Sequence, residues 1–347
     1  MPLNHFRRPI AVALVAGLAA GAPVSARSQD ATGAVRERLN RVGADLFSAT
    51  PHAAESIQEL KAILAVAPDS AEAHMLLGIA YRAQGTPELM GEAVAELRQA
   101  IALKPELTPA RLTLARLYLD LSRASRARDE LQKALEGAPD HPQLLMLLGE
   151  AERQLGNPQR AVELQRQVLA AEPKAAQARY YLGLALFDLR QHTAAIQELE
   201  RVAQSGANPA EANLGLGTAY LEVGRIDAAL KVLRESARVD PSRPETHIQL
   251  ARAYRLKGLL NDAASELTLA APSTTGTMAA LYQNVETDYY LEEGLVRMQQ
   301  GRLEAAVQSF HKVLSLDAGH AAARRHLAEA QKRIRDRAQK KTPGPAR

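Results

Sequence analysis

The sequence has 347 residues, of which 46% are hydrophobic, 24% charged and 4% aromatic, and its formal net charge is +4. This balance describes a folded protein and excludes both a disordered acidic tail and a protein that spans the membrane many times. Because there is no cysteine, disulfide frameworks, thiolate zinc sites, iron–sulfur clusters and cysteine nucleophiles are excluded as well. With so few aromatic side chains and no tryptophan, a surface that stacks nucleic-acid bases would be hard to build.

Residues 1–26 have the layout of a secretory signal peptide. Arg7 and Arg8 give a basic start, residues 10–21 form an apolar run, and Val24-Ser25-Ala26 has the small side chains of a cleavage site. The alternative is a membrane anchor, but this run is shorter than the roughly 20 residues that a spanning helix needs. We expect cleavage near Ala26 and a soluble exported product, most simply a periplasmic one, that follows general secretion rather than the twin-arginine route.

A 34-residue period runs through the chain from about residue 38 to residue 320. Six alanines mark it at intervals of 34: Ala93, Ala127, Ala161, Ala195, Ala229 and Ala263. Each repeat reads as two amphipathic helices of about 13 residues joined by a tight turn. In the repeat from residue 210, Gly224 provides the turn and Pro241 ends the second helix. One such helix pair has too little core to fold alone, so neighbouring repeats must stack.

Several motif positions agree over many copies of the repeat. The clearest are Leu77-Gly78-x-x-Tyr81, followed by Ala93 and Pro105, and Leu216-Gly217-x-x-Tyr220, followed by Ala229 and Pro241. At these positions the sequence resembles the tetratricopeptide repeat (TPR) family. The resemblance implies an all-α fold, an α-solenoid in which about eight antiparallel helix pairs form a right-handed superhelix that ends in a capping helix.

The period predicts one solenoid with the following organisation. Residues 27–37 form a linker, residues 272–286 an insertion, residues 321–337 a basic capping helix and residues 338–347 a disordered tail. The insertion is either a hinge or a surface bulge, and the bulge is favoured because surface insertions are inexpensive. Residues 86–90 lengthen one turn by three residues. The repeats lie near 38–70, 71–107, 108–141, 142–175, 176–209, 210–243, 244–271 and 287–320.

The basic residues are concentrated at the C-terminus. Residues 321–347 carry a formal charge of +7, whereas residues 27–320 carry −5. A capping helix with apolar residues on one stripe and arginines elsewhere would seal the last repeat. The alternative is that this basic end docks on anionic lipid or polymer.

No sequence motif points to catalysis. We find no phosphate-binding loop, dinucleotide fingerprint, zinc-protease helix or serine nucleophile elbow. His74 and His247 share one repeat position, where a packing role is favoured over metal ligation, and Glu292-Glu293 is interpreted as part of a solvated helix face. We therefore expect no catalytic residue, metal site or cofactor. An accessory subunit of a separately encoded enzyme remains an alternative to an independent protein.

The TPR resemblance implies that the first helices of successive repeats line a concave groove. An apolar track flanked by arginines there suits a peptide or partner protein with apolar anchors and acidic flanks, and Tyr180, Leu184 and Phe187 form its densest bulky cluster. The alternative is that many of these are ordinary packing residues. The sequence thus predicts a non-catalytic scaffold of the bacterial envelope that binds protein and no nucleic acid. The predicted groove residues are Met75, Ile79, Arg82, Leu112, Arg116, Met146, Glu150, Arg153, Tyr180, Leu184, Phe187, Leu214, Ile248, Arg252 and Arg255.

Overall fold

A computed structural model describes residues 26–48, 51–207, 209–271 and 283–341. These residues form seventeen α-helices and no strand. The chain divides into two compact units, Met1–Pro173 and Lys174–Arg347, here called unit 1 and unit 2. The division falls between two repeats, which is a natural place because each repeat packs only on its neighbours.

Unit 1 contains four helix pairs. Within a pair the two helices are joined by a short connection and are therefore antiparallel neighbours. The first helices, α1, α3, α5 and α7, also pack against one another in that order. The second helices α2, α4 and α6 each pack on the first helices before and after them, and α8 packs on α7. The pairs are α1 (Ala26–Leu46) with α2 (Ala53–Val66), α3 (Ala71–Gln84) with α4 (Pro87–Leu103), α5 (Thr108–Asp120) with α6 (Ala124–Gly137), and α7 (Pro142–Gln154) with α8 (Pro158–Ala171).

Unit 2 repeats this arrangement and adds a final helix. Its first helices α9, α11, α13 and α15 pack in sequence, and α17 packs on α16 and α15. The elements are α9 (Ala176–Asp188) with α10 (His192–Ser205), α11 (Pro209–Glu222) with α12 (Ile226–Val239), α13 (Pro244–Leu256) with α14 (Leu260–Ala270), α15 (Gln283–Gln299) with α16 (Leu303–Leu316), and α17 (Ala321–Lys341).

The turn inside a helix pair uses a residue in the left-handed conformation. Gly224 has φ 74°, and the following N–H, of Arg225, donates to the carbonyl of Tyr220 at 2.8 Å. Gly156 and Gly258 stand in the same register with positive φ, as expected for a helix C-terminus. Ser122 and Arg190 occupy that register too, with φ 55° and 60°, although a Cβ makes this conformation less favourable.

Small residues allow the two helices of a pair to approach closely. A Cβ placed on Gly217 of α11 would lie 2.5 Å from Cγ of Leu233 on α12, which is too close for any real contact. Ala229 and Leu233 are fully buried beside it. A small residue is therefore required at this helix crossing.

The structure differs from the predicted boundaries at four places. Residues 27–37, expected as a linker, lie in α1, because they are mostly good helix formers without proline. The three extra residues near 86–90 extend α4 instead of its preceding turn, since Pro87 is accepted in the first turn of a helix. Residues 283–286, assigned to the insertion, begin α15, and the capping helix continues past residue 337 to Lys341.

Three predicted segments lie wholly or mostly outside the described residues. They are the signal peptide apart from Ala26, the greater part of the insertion at residues 272–282, and the tail from residue 342. Across the helices that the structure does describe, none combines the length and the apolar character needed to cross a membrane.

Candidate partner-binding face

The predicted groove residues lie on first helices in both units. Four of them are core residues in this structure: Met75, Leu112, Met146 and Ile248 are between 2% and 8% exposed. Each is on a first helix that is flanked by another first helix and by second helices of its own unit. The packing interpretation therefore holds for these four, and they are removed from the accessible candidates.

In unit 2, four of the predicted apolar residues remain partly exposed: Tyr180, Leu184, Phe187 and Leu214, here called the α9/α11 patch. Tyr180, Leu184 and Phe187 follow one another on one face of α9 at helical spacing. Tyr180, Phe187 and Leu214 pack from outside on the buried core of the unit.

Gly215 on α11 explains how α9 and α11 pack beneath this patch. A Cβ at Gly215 would lie 3.6 Å from both Tyr180 Cε2 and Leu184 Cδ2, which is ordinary van der Waals contact. Tyr180 and Leu184 therefore lie against the α11 backbone at Gly215. The ring of Phe187 meets the His192 ring edge-on, with centroids 5.3 Å apart. Ile79 of unit 1 is also partly exposed.

The charged residues of the predicted groove are paired within the chain. In unit 1, Nε and Nη2 of Arg82 donate to Oδ2 of Asp120, at 3.0 and 2.8 Å, which links α3 to α5. Glu150 is buried on α7 and accepts from Nε and Nη2 of Arg153, both at 2.8 Å. Arg116 is half-buried on α5.

Unit 2 pairs its arginines in the same manner. Nη2 of Arg252 on α13 donates to Oε1 of Glu222 on α11 at 2.6 Å. Arg255, on α13, donates Nε to Oε1 of Glu292 and Nη2 to Oε2, the second at 3.2 Å, which links α13 to α15. Carboxylates of neighbouring first helices thus neutralise Arg82, Arg252 and Arg255, so an acidic partner would have to take the place of these carboxylates.

These partner carboxylates were missed in the sequence. Glu292 was interpreted as solvated, but it is 5% exposed and bound to Arg255. Asp120 and Glu222 are the last residues of their helices, and they stand three repeat periods apart, with Asp188 in the same register between them. This recurrence of acids could have been found in the sequence, whereas the identity of each partner arginine could not.

The two histidines at the shared repeat position have packing roles. Nδ1 of His74 lies 2.5 Å from Oε2 of Glu96 on α4, and its Nε2 lies 2.9 Å from the carbonyl of Pro68. His247 has the corresponding contacts in unit 2. In the part of the chain that is described, no three histidine or acidic residues are grouped as metal ligands would be.

Two family models match the chain, and both describe a tetratricopeptide repeat. One matches residues 42–107, 112–173, 153–212 and 291–334, and the other matches residues 189–245. Together these matches cover well over half of the sequence. The chain belongs to the tetratricopeptide repeat family. Among curated proteins, no sequence matches it.

Solved TPR structures have the same fold at low sequence identity. A chain of the Cut9–Hcn1 hetero-tetramer of APC/C has a TM-score of 0.60 and 16% identity, over 80% of this chain and 52% of that one. A TPR protein from Parabacteroides merdae has a TM-score of 0.53 and 17% identity, over 70% of this chain and 93% of that one. PilW, a type IV pilus biogenesis factor, has a TM-score of 0.51 and 20% identity, over 64% of this chain and 99% of that one. This TPR chain thus spans about half the length of the Cut9–Hcn1 chain. The TPR family and the all-α fold predicted from the sequence are confirmed.

Proposed function

We propose that this TPR protein is a non-catalytic scaffold that binds a segment of another protein through the α9/α11 patch. The observation that carries the proposal is the contrast on the first helices of unit 2: Tyr180, Leu184, Phe187 and Leu214 stay partly exposed, whereas Arg252 and Arg255 on α13 are paired. Tyrosine and phenylalanine side chains on a preformed helical surface are suited to anchor an apolar segment.

The paired arginines define the kind of partner. A segment that relied on acidic residues would have to displace Glu222 from Arg252 or Glu292 from Arg255, and each displaced carboxylate would lose a charge-assisted hydrogen bond. A segment with apolar or aromatic anchors needs no such exchange. We therefore infer a partner that contributes apolar side chains to the patch and leaves these ion pairs intact.

We place this function in the bacterial cell envelope, in the assembly of an envelope or secretion complex. The placement rests on the predicted signal peptide and cleavage near Ala26. PilW, a type IV pilus biogenesis factor, is an example of a protein of this fold that acts in the assembly of a surface structure. The alternative, an accessory subunit of a separately encoded enzyme, predicts that the captured partner is that enzyme.

Proximity labelling in intact cells, followed by pull-down, tests the proposal. The variant Tyr180→Ala with Phe187→Ala should lose its partner, because removal of a central aromatic anchor weakens an interface by about 2 kcal/mol or more. The matched control, Leu259→Ala with Leu269→Ala, removes exposed leucines outside the patch and should retain the partner. Retention of every partner by the folded Tyr180/Phe187 variant would overturn the assignment of the patch.

A further inference from the structure

The last helix, α17, presents two different sides. Its apolar stripe consists of Ala323, Leu327, Ala330 and Ile334, which fall within an arc of about 60° at the helical period. Ala323 and Ala330 are fully buried, and Leu327 and Ile334 pack on the core around Phe310. This side of α17 therefore belongs to the folded unit.

His326 adds a further contact on the packed side of α17. Its ring stacks on the Phe310 ring with centroids 5.9 Å apart. Burial lowers the pKa of His326 below its ordinary value. Because partial burial disfavours the charged form of the ring, His326 belongs with the packed side of the helix.

The outer side is basic and exposed. It carries five arginine or lysine side chains on the half of the helix that is turned away from the stripe: Arg324, Arg325, Lys332, Arg333 and Arg335. Arg333 is paired with Glu329 at 2.6 Å. Within residues 26–341 as the structure describes them, Lys332, Arg335 and Arg337 have no carboxylate within ion-pair distance.

The helix extends beyond the core that it covers. After Ile334, the side chains of residues 335–339 are all exposed, so the final turns project from the last repeat with basic residues around them. A helix of 21 residues is about 31 Å long. Lysine and arginine side chains on such a rod can reach several separate phosphate groups on a flat surface.

We propose that the outer side of α17 docks on an anionic phospholipid bilayer. The charge distribution supports this occupant, because residues 321–347 carry +7 and residues 27–320 carry −5. An anionic surface would attract the helix and repel the rest of the chain, which orients the molecule with α17 toward the surface. A nucleic-acid partner fits less well, since the outer side of α17 has no aromatic side chain on which a base could stack. This docking is independent of the α9/α11 patch.

Vesicle flotation tests the proposal with the full chain in the form in which cells produce it. The probe is phosphatidylcholine vesicles with about one third phosphatidylglycerol, compared with pure phosphatidylcholine, at low and at high salt. We expect binding to the anionic vesicles that decreases as salt increases. The variant Lys332→Glu with Arg335→Glu should bind at least about tenfold more weakly.

The control variant Arg166→Glu with Lys231→Glu changes the net charge equally at exposed positions outside α17. It should bind within about twofold of the parent chain, and circular dichroism should show unchanged helix content in both variants. The proposal is overturned if the parent chain does not distinguish anionic from neutral vesicles, or if the control loses as much binding as the α17 variant. Equal binding to a DNA duplex at the same phosphate concentration would also overturn the proposal, because the outer side of α17 would then bind any polyanion and would show no preference for a bilayer.

Discussion

Nδ1 of His247 lies 2.7 Å from Oε2 of Glu266, and Nε2 of the same ring lies 3.0 Å from the carbonyl oxygen of Pro241. Because both neighbours can only accept hydrogen bonds, both ring nitrogens donate, which the imidazole can do only when it is protonated. The hydrogen bond to Glu266 raises the pKa of His247 above its ordinary value. In this doubly donating, protonated form the ring ties α13 to α14 and to the loop that precedes the pair.

The same clasp recurs with a different cation. Nη1 of Arg111 lies 2.7 Å from Oε2 of Glu130, and its Nε donates to the carbonyl of Pro105 at 3.1 Å. Arg179 donates to Glu198 at 2.7 Å, and His74 has the contacts described above. In each case a basic fourth residue of a first helix meets a glutamate of the second helix. In the α7/α8 pair, leucines stand at both of these positions, Leu145 and Leu164.

The His247 clasp predicts that unit 2 becomes less stable as the pH rises. Its raised folded-state pKa means that the stabilising contribution is fully present below the ordinary histidine pKa of 6.5 and is lost as the pH rises through the folded-state value. His247→Gln should remove this part of the pH dependence, which urea unfolding at about pH 6 and about pH 8.5 would measure. The control is His311→Gln at an exposed position. An unchanged difference between the two pH values in His247→Gln would contradict a protonated clasp.

The Arg111 clasp predicts coupling between two substitutions. Glu130→Leu leaves the Arg111 guanidinium, which is 14% exposed, without its carboxylate and should lower the free energy of unfolding by about 2 kcal/mol. The double variant Arg111→Leu with Glu130→Leu reproduces the residues of the α7/α8 pair and should recover most of that loss, since an apolar pair often replaces a buried ion pair without penalty. Equilibrium unfolding of the single and double variants completes the cycle. If the two single losses simply added, the clasp would have no coupling energy.

Two neighbouring glycines in α11 predict opposite effects of the same substitution. Gly217→Ala would place a Cβ 2.5 Å from Leu233 Cγ and should destabilise the chain by about 1 to 3 kcal/mol through overpacking. Gly215→Ala meets only contacts of 3.5 Å or more and should be neutral or stabilise the helix by up to about 1 kcal/mol. Thermal unfolding of both variants measures the difference. Equal effects would mean that helix propensity alone, and not the close approach of α12, determines the outcome.

The repeat period predicts the fold from sequence because the signals that determine it are local. Gly224 ends a helix through its own φ, and the Gly217 position meets the second helix of the same pair, so both are visible within 34 residues. The burial of a given side chain, by contrast, is not predicted by these local signals. Met75 and Ile79 are one turn apart on α3, yet the first is buried and the second is partly exposed, because depth depends on the neighbouring repeats.

The ion pairs on the first helices were beyond prediction for a related reason. Arg82 and Asp120 are 38 residues apart, and Arg255 and Glu292 are 37 apart, so neither pair matches a single period or a helical spacing. Their formation depends on the distance between neighbouring helices and on which rotamers remain accessible there. The sequence therefore predicted the helices that carry charge but not that the charges would neutralise one another.

Gln165 on α8 occupies the register in which other second helices have a fully buried leucine, such as Leu131 and Leu199. It is itself fully buried. Its Nε2 donates to the carbonyl of Met146 at 2.8 Å, but its Oε1 has no hydrogen-bond partner among the described residues. An unsatisfied buried carbonyl is destabilising by about 1 to 3 kcal/mol.

Gln165→Leu should therefore raise the free energy of unfolding by about 1 kcal/mol, because a leucine removes the unsatisfied oxygen. The leucine should also fit, because the residue that faces position 165 at the helix crossing is Gly149. Leu233 packs on Gly217 in the same way in the α11/α12 pair. Urea unfolding measures the change, with Gln167→Leu at an exposed position of the same helix as the control, expected within about 0.5 kcal/mol of the parent. A loss of stability in Gln165→Leu would mean that the hydrogen bond to Met146 stabilises the fold by more than the unpaired Oε1 destabilises it.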